Sequence, residues 1–136
     1  MVIVDTSALL AYLDAAEPDH QAVKAALSAC DGDFVVSELV LAELDYLILS
    51  RYGVREERAA LAALAHRRWR VSALGADGLA QATALIDRHA NEAIGLTDAA
   101  NLVLAARFKT RRVATLDHRH FGHLTLPDGS AVEIVP

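Results

Sequence analysis

Four carboxylates in this chain of 136 residues are poorly explained as solvated surface charge. Asp5, in "VIVDTSALL", directly follows three β-branched residues that read as a short buried strand. An uncompensated charge at the end of such a strand is costly. Glu43 lies in "LAELDYL"; at about 100° per residue it falls beside Leu39, Val40, Tyr46 and Leu47, while Glu38 and Asp45 share the opposite side. Asp98, in "GLTDAAN", shares a small polar helix face with Asn101 and Ala105. Asp117, in "TLDHRHF", closes another strand and opens a basic stretch.

Each acid has a structural reading of its own. Asp5 and Asp98 suit helix starts, Asp117 suits a turn, and Glu43 could be a surface acid among exposed leucines. The joint pattern asks for more. Carboxylates that converge repel and raise one another's pKa values unless a cation lies between them. A ligand set of oxygens, without Cys or His, favours a hard dication, Mg²⁺ or Mn²⁺. His118, His120 and His123 lack the second Cys or His cluster that a zinc site would need. The chain also has no phosphate-cradling glycine loop and no GxSxG elbow.

The elements that must position these acids follow from the hydrophobic pattern. Strands are expected at 2–4, 34–36, 69–72, 111–117 and 131–135. Helices are expected at 6–15, after the "EPDH" turn to about residue 29, from the Ser37 cap to Arg51, and over 55–67 and 75–90. A last helix opens at Thr97 or Asp98 and runs to Phe108. Strands alternating with helices predict an α/β/α sandwich around a mainly parallel sheet of about five strands, in one domain over 1–136. Ligands of such sheets bind beyond the carboxyl ends of the strands, where Asp5 and Asp117 fall.

Composition narrows the class. A hydrophobic content of 54% excludes a disordered chain. One cysteine, Cys30, forms no internal disulfide, and no apolar run reaches the 18 or so residues of a membrane span, which predicts a soluble cytoplasmic protein. Residues 1–50 carry nine acids against one base, whereas residues 51–136 carry nine acids against twelve bases. Eleven of the thirteen bases are Arg, the side chain suited to bidentate phosphate contacts. Around Asp117, the residues Arg107, Lys109, Arg111, Arg112, His118 and Arg119 are candidates for phosphate attraction. Trp69, in the basic "HRRWR", reads as a core residue with base stacking as the other option.

"VDTSALLAYL", Glu43 in "LAELDYL", "GLTDAAN" and "TLDHRHF", in this order and spacing, resemble the PIN-domain ribonucleases, specifically the VapC-type toxins of bacterial toxin–antitoxin pairs. The resemblance covers essentially the whole chain, and "DTS" by itself would carry little. It implies a PIN-like fold and a Mg²⁺-dependent endoribonuclease (Mn²⁺ able to substitute) acting on structured RNA such as transfer or ribosomal RNA. It assigns the four family acids to Asp5, Glu43, Asp98 and Asp117, with Asp5 and Asp98 as the principal metal ligands. Thr6, Ser7, Asn101 and Thr115 would orient the ligands or the attacking water. It further implies a VapB-type antitoxin partner and a homodimer.

Two rivals remain on the residues alone. A non-catalytic RNA- or protein-binding module would use the acids as caps. A phosphoacceptor receiver domain would need an acid paired with Asp5 and a Lys after the last core strand, and this chain has only Lys24 and Lys109.

Overall fold

The computed structural model describes residues 1–136. Its strands are β1 (Val2–Val4), β2 (Phe34–Ser37), β3 (Trp69–Ser72), β4 (Arg112–Ala114) and β5 (Glu133–Val135). Its helices are α1 (Thr6–Leu13), α2 (His20–Ser28), α3 (Glu38–Tyr52), α4 (Val54–Leu64), α5 (Gly75–Arg88), α6 (Leu96–Arg107) and the short α7 (His118–Phe121). A single 3-10 turn, Ala90–Glu92, separates α5 from α6. The sheet has the order β3-β2-β1-β4-β5 and every pairing is parallel, so "mainly parallel" becomes entirely parallel.

Alternation along the strands builds two cores. Val2, Val4, Phe34, Val36 and Ala114 face one side, under Leu9, Val23, Leu27, Val40 and Leu44 of α1–α3 and Leu64 of α4. Ile3, Val35 and Val113 face the other, under Leu85, Leu102, Val103 and Phe121 of α5–α7. A strand with both faces covered reads as a continuous apolar run, as β1 does. Trp69 belongs to the first core, with its ring 4.9 Å from Phe34 and 5.4 Å from Tyr12.

The sheet topology fixes where a site can form. β1 pairs with β2 on one side and with β4 on the other, so the chain's progression reverses direction across β1. The carboxyl ends of β1 and β4 therefore flank the crevice at the switch point of the sheet. Asp5 leaves β1 there, its amide still bonded to Ala114 O at 2.9 Å.

Several expected boundaries move. α1 stops at Leu13, because the Asp14 carboxylate takes the Ala16 amide and turns the chain. α2 begins at His20, two residues past Pro18. α6 begins at Leu96, with Gly95 rather than Thr97 or Asp98 at its N-cap. β4 ends at Ala114, and the expected loop after it contains α7, whose His120 amide is capped by Asp117 Oδ1 at 3.0 Å.

α3 carries Glu43, so its start matters to the site. Ser37 ends β2, is fully buried, and accepts the Val40 amide at 3.0 Å. Ser37→Ala should cost about 0.5–2 kcal/mol, the range for N-cap removal. Denaturant unfolding with an unchanged m-value would check this, and an undiminished midpoint would contradict it.

Candidate active site

Asp5 is the best-held of the four acids. Only 7% of its surface is exposed, and three donors from three elements hold its carboxylate. Asn101 Nδ2, in α6, donates to Oδ1 at 3.0 Å. Ser7 Oγ, in α1, donates to Oδ2 at 3.0 Å, and Thr115 Oγ1, just past β4, donates to Oδ2 at 3.1 Å. The two hydroxyls also accept, Ser7 from the Leu116 amide and Thr115 from the Asp117 amide. Each relays a backbone donor onto Asp5. This accounts for the buried carboxylate: it is fully solvated by protein donors, as buried charge requires. No side-chain capping bond runs from Asp5 to the α1 amides, so capping is not what places it.

The other acids are aimed at the same crevice. Glu43, exposed on α3, accepts from Thr97 Oγ1 at 3.3 Å. Asp98 is in the first turn of α6, and Asp117 sits at the cap of α7. His120 stands between the last two, its Nδ1 lying 3.5 Å from Asp98 Oδ2 and 3.5 Å from Asp117 Oδ2. The four carboxylates, with Thr6, Ser7 and Thr97, line one pocket of about 280 Å³ walled by Leu10 and Leu47. No Lys or Arg contributes to its lining.

The electrostatics record the crowding. Burial pushes the Asp98 carboxyl above the ordinary Asp value, and the nearby Asp5 charge adds to the rise. His120 and the Gly95 amide act against it. A surplus of negative charge around a small polar pocket fits a hard divalent cation. So does a buried oxygen without a partner, Thr6 Oγ1 on the pocket wall. No three of the chain's acids, histidines or cysteines close tightly enough to enclose an ion by themselves. An ion held there would keep several water ligands, as Mg²⁺ ordinarily does.

The expected basic partners do not gather around the pocket. Arg107 lies in the last turn of α6, roughly 14 Å along the helix axis from Asp98. Its guanidinium donates to Ala73 O at 2.6 Å and Leu74 O at 2.7 Å, which makes it a brace between α6 and the start of α5. Arg112 pairs with Glu133 at the amino ends of β4 and β5, and Lys109 and Arg111 flank the same end of the sheet. Strand direction separates these residues from the acids. Only His118 and Arg119, exposed on α7, stand beside Asp117.

Comparison with known proteins shows the family of the chain. The PIN domain family profile matches residues 2–125. Ribonuclease VapC26 of Mycobacterium tuberculosis is 46% identical over 135 residues, spanning 99% of this chain and all of that one. The chain is a PIN-domain protein of the VapC ribonuclease family. Two solved structures share the fold of this VapC chain at lower identity. VapC20 of Mycobacterium tuberculosis, described as a toxin that cleaves the sarcin–ricin loop, superposes with a TM-score of 0.83 at 24% identity over the full length of both chains. VapBC2 of Rickettsia felis, bound to a fragment of its promoter DNA, gives 0.73 at 17% identity over 98% of each.

Thr97 and His120 were not singled out from the sequence as holders of the acids. Thr97 adjoins Asp98, and His120 stands three residues after Asp117. Those spacings place each beside an acid without saying which way it turns.

The raised Asp98 pKa gives a pH prediction with a definite sign. The unfolded chain releases this proton more readily than the folded one, so ionising Asp98 costs stability as pH rises from the ordinary 3.8 through the folded value. Asp98→Asn keeps the shape and removes that cost. The metal-free variant should therefore melt at a higher temperature than the parent at neutral pH, and the two should converge well below pH 3.8. A variant less stable than the parent at pH 7 would contradict the assignment.

Proposed function

We propose that this VapC protein is a divalent-metal-dependent endoribonuclease toxin, acting in the cytoplasm on structured RNA such as transfer or ribosomal RNA. The observation that carries this reading is the convergence of four carboxylates, from four separate elements, on one pocket lined by no cation. The identity to Ribonuclease VapC26 supports the nuclease activity.

Asp5 and Asp98 would hold Mg²⁺, or Mn²⁺ in its place, with Glu43 and Asp117 completing the site directly or through water. Bound there, the ion supplies a lowered pKa for the attacking water and offsets charge growing on the scissile phosphate. The remaining work falls to this chain's side chains. Ser7, Thr115 and Asn101 fix both oxygens of Asp5, so its ligand direction is set before anything binds. Thr97 orients Glu43 through Oε2, leaving Oε1 without a protein partner. His120, 3.5 Å from both Asp98 and Asp117, would orient the two when protonated. His118 and Arg119 give the acidic pocket its adjacent attraction for phosphate.

Purified protein should cleave structured RNA in Mg²⁺ or Mn²⁺ and stop in EDTA. Full cleavage in excess chelator would remove the metal mechanism, and metal-independent binding without cleavage would favour a non-catalytic module. At free Mg²⁺ of 100 times Kd, the parent should gain about 2.7 kcal/mol of stability. Asp98→Asn should gain much less and should lose cleavage by orders of magnitude.

The proposed partner is a VapB-type antitoxin, in keeping with the toxin–antitoxin complexes from Klebsiella pneumoniae and Rickettsia felis that share the fold. A groove of about 410 Å³ opens between the end of α1 and helices α3 and α4, lined by Leu13, Ile48, Tyr52, Ala59, Ala60 and Ala63 with Asp14 and Glu56 at its margin. α3 joins this groove to Glu43 and Leu47 of the acid pocket. An amphipathic segment laid along α3 would seat its apolar face in the groove and extend an Arg to the carboxylates. Tyr46, Leu49, Tyr52 and Val54 are exposed on the same helices and could also serve a homodimer. Inhibition by the antitoxin should be lost when its Arg and Lys residues are replaced; inhibition that survives the change would refute this mode.

A further inference from the structure

Beside the acid pocket, and sharing Asp117 with it, lies a second hollow of about 500 Å³. Its lining is Glu92, Asp117, Arg119, His120 and His123, with no apolar side chain among them. Arg119 and His123 are exposed, and Arg119 forms no ion pair within the chain.

The chain just before Glu92 is pinned to the chain just after His123. Arg88, at the end of α5, donates to Leu126 O at 2.9 Å and Pro127 O at 3.1 Å. The next residue, His89, is buried, and its Nε2 accepts the Thr125 amide at 3.4 Å. With Nε2 accepting, the ring proton of neutral His89 is on Nδ1, which faces Glu92 Oε2 at 3.8 Å. Glu92 is thereby a carboxylate beside a ring N–H, in a hollow whose donors are Arg119, His120 and His123 and whose other carboxylate, Asp117, belongs also to the acid pocket. A phosphate alone would be better served without Glu92. A nucleotide has use for both, because phosphate takes the donors and a carboxylate accepts from an exocyclic amino group.

We propose that this hollow is the subsite for the nucleotide next to the scissile phosphate, a reading that rests on the ribonuclease function proposed above. Arg119 and His123 bind the flanking phosphate. Glu92 accepts from the base edge and favours cytosine, adenine or guanine, which carry an amino group, over uracil. The contiguity through Asp117 leads an unpaired strand from one pocket to the other, and unpaired nucleotides are the usual targets of sequence-reading RNA contacts. Glu92 is then a specificity-determining residue outside the acid cluster.

The test uses the full-length protein and an RNA hairpin pool with a randomised single-stranded loop. Sequencing the product ends gives the nucleotide preference on each side of the cut. Kinetics on one favoured hairpin give KM, kcat and their salt dependence. Arg119→Gln and His123→Gln should raise KM about tenfold, more than they lower kcat, and Arg119→Gln should reduce the slope of log affinity against log salt by about one. Glu92→Gln should continue to cleave but lose the bias against uracil on one side of the cut. The parent's nucleotide profile in Glu92→Gln, together with the parent's KM and salt slope in Arg119→Gln, would overturn the proposal. A parent that cuts no member of the pool in Mg²⁺ or Mn²⁺ would count against the nuclease reading instead. The hollow is then judged by fluorescence anisotropy on the same pool: weaker binding with a reduced salt slope in Arg119→Gln supports an RNA subsite, and unchanged binding overturns it.

Discussion

The structure turns on one nearly buried carboxylate held by protein donors. Asp5 is anchored by hydroxyls from α1 and the segment after β4 and by an amide from α6. Those three parts of the chain are far apart in sequence, and two of them also supply other acids of the cluster, Asp98 on α6 and Asp117 just beyond Thr115. Fixing Asp5 therefore registers much of the cluster. Loss of one donor leaves a buried charge short of a partner, which costs more than the hydrogen bond itself contributes.

The fold must also tolerate the repulsion that this registration creates. Two devices reduce it. His120 stands between Asp98 and Asp117, and the acids are graded from buried to open, with Asp5 at 7% exposure and the Asp117 side chain at 51%. The open members are screened by water, whereas the buried one keeps its charge and is stabilised by fixed donors. Asp98 has neither full protection, and burial first, then the Asp5 charge, raises its pKa. The strain resides where a cation would relieve it, which is how an acidic cluster can be uncomfortable alone and stable when loaded.

The sequence disclosed the sheet and the acids for the same reason. A strand with both faces covered must be apolar throughout, so "VIV" and "FVVS" announce themselves and make the Asp after the first conspicuous. Glu43 was legible from helical periodicity, which assigns a side to each residue of α3. Side-chain direction at short turns was less legible. α7 is a four-residue turn, too short for periodicity, so "HRHF" read as a loop and His120 could not be told from His118 or His123. Arg107, Lys109, Arg111 and Arg112 were grouped with the site because they precede Asp117 closely in sequence. A strand running between them carries the chain from one end of the sheet to the other, and nearness in sequence became separation in space.

That separation changes how the charge asymmetry of the chain should be understood. Most of the arginines in the second half do not surround the acids; several are committed to the scaffold, Arg88 to the Leu126–Pro127 carbonyls, Arg107 to the start of α5, and Arg112 to Glu133. A pocket of four carboxylates without a basic collar would repel RNA until its charge is offset, and a guanidinium from the proposed partner would offset it as a metal ion would. Metal loading and partner binding would then compete for one electrostatic need, by cation and by arginine. In a fold where the pocket opens onto α3, and α3 also borders the apolar groove, both could act at the same place. Arg119, on α7, forms no ion pair within the chain. Its position beside Asp117 makes the α7 side of the pocket the one from which a polyanion can approach.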